Sequence, residues 1–378
     1  MAAETTLPKT HRALVLSSTS SPPEIKSIPT PQPTPGSVVV RMEIANVISY
    51  TREVYNGTRK YPFPMPLVIG FSGVGRIAAV GPDATSLEPG KLVLVDSFIR
   101  ARDEPSTAFL MGLHEGYSDG SKKLMRGEWK DATYAEFTKM PLENCHPLDE
   151  KRLLGSKESG GLGLKIEALS DLSSLAIPFG GMSDIGLKAG ETVIVAPATG
   201  PFGGAAVIVA LAIGAKVIAM GRNVEALMKI KASSERVEIV QITGDMEADL
   251  MALQQFSPID AYFDISPAAA EKSTHLKSCI LALRHSGRVS LMGGIQGDLS
   301  IPHQAVMHRD LQLKGKWMYS RENIRDLIKM VEIGVLKLEG GEGSVGRPIK
   351  KFSLEQWDEA FTAAADSSSL TTKAVITP

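Results

Sequence analysis

The chain of 378 residues sets 41 basic against 42 acidic side chains, with 43% hydrophobic and 22% charged residues. The near-zero net charge leaves no electrostatic footprint for nucleic acid or an anionic membrane surface, and no apolar run is as long as a membrane span. Two cysteines, Cys145 and Cys279, cannot build a disulfide framework. With no charged segment ahead of an apolar stretch at its start, the chain is expected to be a two-domain protein of a reducing, cytoplasmic compartment.

In chain order, the first third is rich in short β-branched runs. "HRALVL", "GSVVVRMEIANVIS", "VGRIAAVG" and "KLVLVDSF" are separated by turn signals such as "TPQPTPG" and "SLEPG". That texture predicts a small β-rich domain or barrel. Between Arg100 and Trp129 the sequence is polar and irregular and is expected to form a long loop or lid. His114 and Glu115 within it are expected to be a solvated pair, with contact to the substrate as the alternative. From about Glu191 the texture changes. Strand-like "TVIVAPA", "KVIAMGR", "VEIVQITG", "IDAYFDIS" and "GRVSLMGG" alternate with helix-like "GGAAVIVALAIGA", "VEALMKIKA", "DMEADLMALQQF" and "EKSTHLKSCILALRH". Strict alternation predicts a doubly wound parallel sheet with helices on both faces. The last helix and strand, in "FSLEQWDEAFTAAA" and "TKAVITP", are expected to return to the N-terminal domain.

Two glycine-rich stretches compete for a cofactor. "VIGFSGVG", Val68–Gly75, looks at first like a nucleophile elbow, but Val74 stands where the last glycine of G-x-S-x-G belongs. "GVGRIA" continues as a strand and turn, with no helix to cap a phosphate, so its glycines read as structural. "PATGPFG" is different, because it links a strand ending at Ala196 to a helix expected to begin near Gly203. Gly200 and Gly203 have the spacing of the last two glycines of the dinucleotide fingerprint. The helix N-terminus then offers N–H groups to a pyrophosphate. Pro197 departs from the first glycine position, and Pro201 removes one donor. Thr199, Gly200, Pro201, Phe202 and Gly203 are therefore candidate cofactor contacts. So are Ser266 and Gly293, at the ends of two later strands. The second strand of this run ends in Gly221-Arg222-Asn223. An acidic residue there would suit a ribose 2′-hydroxyl, whereas Arg222 suits a 2′-phosphate, so NADPH is the expected cofactor.

The order of these segments resembles the medium-chain dehydrogenase/reductase superfamily. The resemblance runs through "PLVIGFSGVGRIAAVG", "SLEPGKLVLV", "TYAEF", "IGLKAGETVIVAPATG" and "AFTAAADSSSLTTKAVITP". It implies a GroES-like β-rich catalytic domain, residues 1–165 and 335–378, and a Rossmann NADPH-binding domain, residues 166–334, working across a cleft. It also implies a homodimer and a small-molecule substrate. Zinc alcohol dehydrogenases of this superfamily carry Gly-His-Glu where this chain has Gly70-Phe71-Ser72. The first zinc cysteine and the residue after it correspond to Ser49-Tyr50, and the third ligand position lies near Phe179. A catalytic zinc needs three N, S or O ligands plus an open position. Phe71, Phe179 and Ser49 do not supply them, and two cysteines cannot form a four-cysteine structural site. The resemblance thus points to the zinc-independent quinone oxidoreductase and enoyl reductase branches, with no metal.

Without a Lewis acid, hydride transfer to a conjugated C=C bond is easier to support than reduction of a simple ketone, because hydrogen bonds can stabilise the developing enolate. Tyr50 and Ser49 are the expected catalytic groups, with Tyr61 on the following loop. Phe71, Phe179, Trp317 and Met318 are expected pocket residues. Lys373 resembles a C-terminal lysine found near the cofactor, although a solvent-facing lysine fits equally. His303 and His308 lack metal spacing and read as structural. Carbonyl reduction with Tyr50 as proton donor, and a non-catalytic NADPH-binding sensor, are the alternatives.

Overall fold

The computed structural model describes residues 7–338, 348–366 and 373–378. The chain forms two compact units. Unit 1 takes the residues up to Ser173 together with Leu338 and the described C-terminal segments, and unit 2 takes Ser174–Lys337.

Unit 1 is built from short strands: β1 (Thr10–Leu16), β2 (Glu24–Pro29), β3 (Ser37–Val47), β4 (Leu67–Val68), β5 (Gly73–Val80), β6 (Leu92–Val95), β7 (Phe98–Arg100), β8 (Ala108–Leu110), β9 (Phe137–Pro141) and β10 (Cys145–Pro147). Short helices α1 (Thr51–Tyr55), α2 (Asp119–Arg126) and α3 (Glu150–Leu154) sit between them. The eleven-residue β3 is the spine. It pairs antiparallel with β5 on one side and with β9 over its first half. "GVG" of the stretch "VIGFSGVG" starts β5, and its glycines are there for close approach. A Cβ on Gly75 would lie 2.7 Å from Val40 Cγ1 and 3.1 Å from Met42 Cα of β3.

The stretch from Arg100 to Trp129 is not a solvated loop. β7 and β8 form a hairpin with Ile99 opposite Phe109. Residues 107–115 are buried, including His114 and Glu115. The polar residues that made the segment look like a lid belong to its tip and to α2. There Ser118 caps the helix by accepting from the Ser121 N–H.

Helix α4 (Asp171–Asp184) leads to unit 2, an alternating run of β11 (Thr192–Ala196), α5 (Pro201–Ile213), β12 (Lys216–Gly221), α6 (Val224–Lys231), β13 (Val237–Gln241), α7 (Met246–Gln254), β14 (Ala261–Asp264), α8 (His275–Ala282), β15 (Arg288–Leu291), α9 (His303–His308), β16 (Gln312–Gly315) and α10 (Arg321–Glu332). All its strands are parallel, in the order β13-β12-β11-β14-β15-β16. This is the doubly wound dinucleotide-binding order, in which the chain reverses direction across the sheet between β11 and β14. Every residue from Val193 to Ala196 is fully buried, so the strand is covered on both faces. Ile194 and Ala196 join Leu253 of α7 and Leu276, Cys279 and Ile280 of α8 in one apolar cluster.

The chain then returns to unit 1 through β17 (Ile349–Ser353), α11 (Trp357–Asp366) and β18 (Lys373–Thr377). β18 pairs antiparallel with β3, which completes the order β10-β6-β5-β3-β18-β17. Residues 339–347 and 367–372 of the expected tail lie outside the described residues. Among the described residues no helix is long and apolar enough to cross a membrane.

Candidate active site

The cofactor cradle of unit 2 is read from its main chain. Helix α5 begins at Pro201, two residues before the position expected from sequence, because proline suits the first helical position and Gly200 takes the extended cap conformation. No side chain caps this end. The first-turn N–H groups of Phe202 and Gly203 are thus offered to an anion, with the positive end of the helix dipole behind them. A Cβ on Gly200 would meet nothing within 4 Å, so its face is open. A Cβ on Gly203 would lie 2.8 Å from Ala198 Cα, so the third fingerprint position has to be glycine for the helix to sit on the strand exit. A Cβ on Gly221 would come within 2.9 Å of Thr199 Cγ2, which places the β12 exit beside the same loop. These features fit the pyrophosphate of a dinucleotide.

Arg222 is exposed just past β12. Asn223 has a structural task as well, since its Oδ1 accepts from the Ala226 N–H at 3.0 Å and caps α6. Ser266 and Gly293 are brought together at the exits of β14 and β15, where the Gly294 N–H donates to the Ser266 carbonyl at 2.7 Å. Phe179 is buried in α4 and Met318 is buried with φ of +61°, while Trp317 is exposed and does not fill a core. Helix α4 approaches that segment closely, because a Cβ on Gly180 would lie 2.7 Å from the Met318 carbonyl oxygen. His303 and His308 are exposed at the two ends of α9.

In unit 1, Tyr50 and Tyr61 are both half-buried and meet edge to face, with ring centroids 6.3 Å apart. Ser49 is half-buried beside them in the chain. The sequence did not single out the residue that organises this cluster. The Arg59 guanidinium lies 3.9 Å from the Tyr50 ring centroid and 5.2 Å from that of Tyr61, a cation–π arrangement. Tyr61 in turn packs against His114 at 4.9 Å. The only signal in sequence was the interleaving of two cations, Arg59 and Lys60, among the aromatic residues of "YNGTRKYPF". Burial pushes the Tyr50 phenol well above its ordinary range, and the Tyr61 hydroxyl adds to this, against the opposing pull of Arg59. At neutral pH the Tyr50 phenol carries its proton, as a tyrosine does even without this shift. Burial also lowers the His114 pKa, with Glu115 opposing. Glu115 is committed to Arg126 at 2.7 and 2.9 Å.

Phe71 is buried, and its carbonyl accepts from the Thr133 hydroxyl. Ser72 Oγ accepts from the Ser97 N–H at 3.1 Å. Gly70 has φ of +141°, and a Cβ there would lie 2.6 Å from Thr133 N. This corner, which the resemblance matches to the family's metal site, is closed with structural hydrogen bonds. Among the described residues no group of three or more His, Cys, Asp or Glu is placed to hold a metal ion. Lys373 is not solvent-facing, being buried and paired with Asp171 at 2.8 Å.

Comparison with known proteins gives two family-model matches. Residues 34–150 match the alcohol dehydrogenase GroES-like domain, and residues 201–332 match the zinc-binding dehydrogenase domain. An L-threonine 3-dehydrogenase of Anaeromyxobacter dehalogenans is 22% identical over 350 residues, covering 88% of this chain and 89% of the relative. Among solved structures, an alcohol dehydrogenase of Escherichia coli CFT073 complexed with NADH superimposes with a TM-score of 0.76 at 18% identity, covering 98% of this chain and all of that one. A Sinorhizobium meliloti 1021 protein described as a zinc-binding dehydrogenase and bound to NADP gives 0.75 at 16% identity, over 98% and 100%.

Proposed function

Because the chain belongs to the medium-chain dehydrogenase/reductase superfamily, we propose that it is a zinc-independent, NADPH-dependent reductase of an activated C=C bond in an enone, quinone or enoyl substrate. Oxidoreductase chemistry and a nicotinamide cofactor come with the family and its fold. The finer reading rests above all on the residue types at the three positions that the resemblance matches to zinc ligands, Ser49, Phe71 and Phe179. With no ligand set, a simple carbonyl loses its electrophilic partner.

Bound in the unit 2 cradle, a reduced nicotinamide supplies the hydride. Phe202 and Gly203 present N–H groups to the pyrophosphate, and Thr199 and Gly221 shape the loop beside it. Arg222 supports the 2′-phosphate form, with no carboxylate at the β12 exit to repel it. Tyr50 holds the proton for the developing enolate, and Arg59 against its ring face lowers the cost of the negative charge left on the phenol oxygen. Phe71, buried and apolar, is a wall rather than a participant. A cytoplasmic location and a homodimer belong to the same reading. Carbonyl reduction with Tyr50 as acid is the second reading, favoured by the dehydrogenase names of the relatives.

The deciding experiment supplies both C4 epimers of deuterated NADPH with a panel of conjugated enones and enals, and locates the label by NMR. Deuterium at the β-carbon is expected. Deuterium at the carbinol carbon would replace the proposal by the second reading, and stoichiometric zinc in the purified protein would overturn its metal-free part.

A further inference from the structure

We propose that a hydrogen-bonded chain, from half-buried Ser273 through buried His275 and Ser266 to buried Asp264, is a positioning network that holds the exits of β14 and β15 in the shape the cofactor requires. It rests on the reading that a nicotinamide dinucleotide occupies the carboxyl ends of this sheet, and no step of the reduction uses it.

Asp264, Ser266 and His275 are each at most 3% exposed. Asp264 ends β14, Ser266 lies two residues beyond, and His275 opens α8. Every proton in the chain can be placed by counting donors. Asp264 Oδ1 accepts from the Ser266 hydroxyl at 2.5 Å and from the Tyr262 hydroxyl at 3.1 Å. Its Oδ2 accepts from the Gly293 N–H at 3.2 Å. The Ser266 hydroxyl has then spent its one proton, so at 2.9 Å from His275 Nε2 it must accept, and Nε2 carries the hydrogen. A neutral imidazole leaves Nδ1 bare, and Nδ1 accepts from the Ser273 hydroxyl at 2.6 Å. Burial lowers the His275 pKa, as neutrality requires. Asp264 and Asp249 oppose that shift, and Arg222 adds to it.

The network sits where two strand exits are pressed together. A Cβ on Gly293 would lie 2.5 Å from Asp264 Oδ2 and 2.9 Å from Ser266 N, so only glycine fits. The Ile265 N–H donates to the Ala196 carbonyl at 3.1 Å, which ties the β14 exit to that of β11. These two strands flank the point where strand order reverses, and ligands of open α/β sheets bind outside the carboxyl ends there. A buried carboxylate is expensive unless fully hydrogen-bonded. Here all of its bonds go to groups that set the spacing of the rim: one serine, one tyrosine and one backbone N–H.

The test compares two amide replacements by calorimetric titration with NADPH and with NADH, with folding followed by thermal melts. The amide of His275→Gln reaches the Nε2 position and can still donate to Ser266, whereas that of His275→Asn reaches only the Nδ1 position. His275→Asn is expected to weaken dinucleotide binding about tenfold, the loss of one buried hydrogen bond, and His275→Gln is expected to stay near wild type. Wild-type binding retained in His275→Asn, or equal loss in both variants in step with their melting temperatures, would overturn the network. Nitrogen NMR of the wild-type protein tests it without a variant. A neutral His275 with hydrogen on Nε2, whose signals shift when NADPH is added, is expected, and a signal indifferent to NADPH would overturn the proposal. Wild-type protein that binds neither dinucleotide would remove the cofactor reading itself, and the outcome of the acceptor panel bears on the reaction alone.

Discussion

Tyr50 and Arg222 bear most of the functional reading, and each gives a prediction at its own scale. Tyr50 is protonated at neutral pH like any tyrosine, and burial disfavours its phenolate further. Removing its hydroxyl in Tyr50→Phe should lower kcat about a hundredfold, as expected for loss of a general acid, with little change in the KM for NADPH. Steady-state kinetics on the accepted enone check this, and an unchanged kcat would reassign the proton donor. Arg222 is exposed, so on the proposed reading its contact with a 2′-phosphate would be charge-assisted and screened. Arg222→Ala should raise the KM for NADPH roughly tenfold or more and leave that for NADH in place. Equal changes for both cofactors would remove the 2′-phosphate assignment. Arg59 shows the limit of residue-by-residue reading. Nothing in its sequence position says that its guanidinium lies 3.9 Å over the Tyr50 ring.

Among the elements, helix ends connect local sequence to the site. α5 has no side-chain cap, which leaves its first-turn donors to a ligand, whereas α6 and α7 are capped by Asn223 and Asp245. Asp245 Oδ1 accepts from the N–H groups of Glu247 and Ala248 at 2.9 and 3.1 Å. Asp245→Ala should therefore cost about 1 kcal/mol in chemical denaturation. The corresponding change at the α5 cap, Gly200→Ala, removes no cap bond. The strands of unit 2 were legible as alternating buried runs, and so was the loop between Ala196 and Gly203. The β7–β8 hairpin was not. Its polar flanks dominate the composition, and its burial depends on partners such as Arg126, which neutralises the buried Glu115 from eleven residues away.

For the molecule as a whole, pH sets a common term. Burial is the largest cause lowering the pKa of His11 and His114 in unit 1 and of His275 in unit 2. The unfolded chain takes up these protons near pH 6.5, and the folded chain does so only at lower pH. Their contribution to stability is thus complete above about 6.5 and is lost as pH falls below it. Denaturation midpoints measured from pH 8 to 5 should fall on the acid side, and His275→Gln should flatten that fall. A midpoint independent of pH across this window would mean that these imidazoles are not held neutral by the fold.

By itself the sequence determined the alternation of strands and helices, the glycine-bearing loop between β11 and α5 and the return of the tail to the first domain. All of these follow from local periodicity or from glycine and proline spacing. Tertiary structure alone decided that "VIGFSGVG" is a hydrogen-bonded corner, that His114 and Glu115 are buried, that Arg59 joins Tyr50 and that His275 reaches Asp264 through Ser266. These are meetings of side chains whose polarity predicts exposure. Only packing, which removes water and forces each donor to find an acceptor, brings them together.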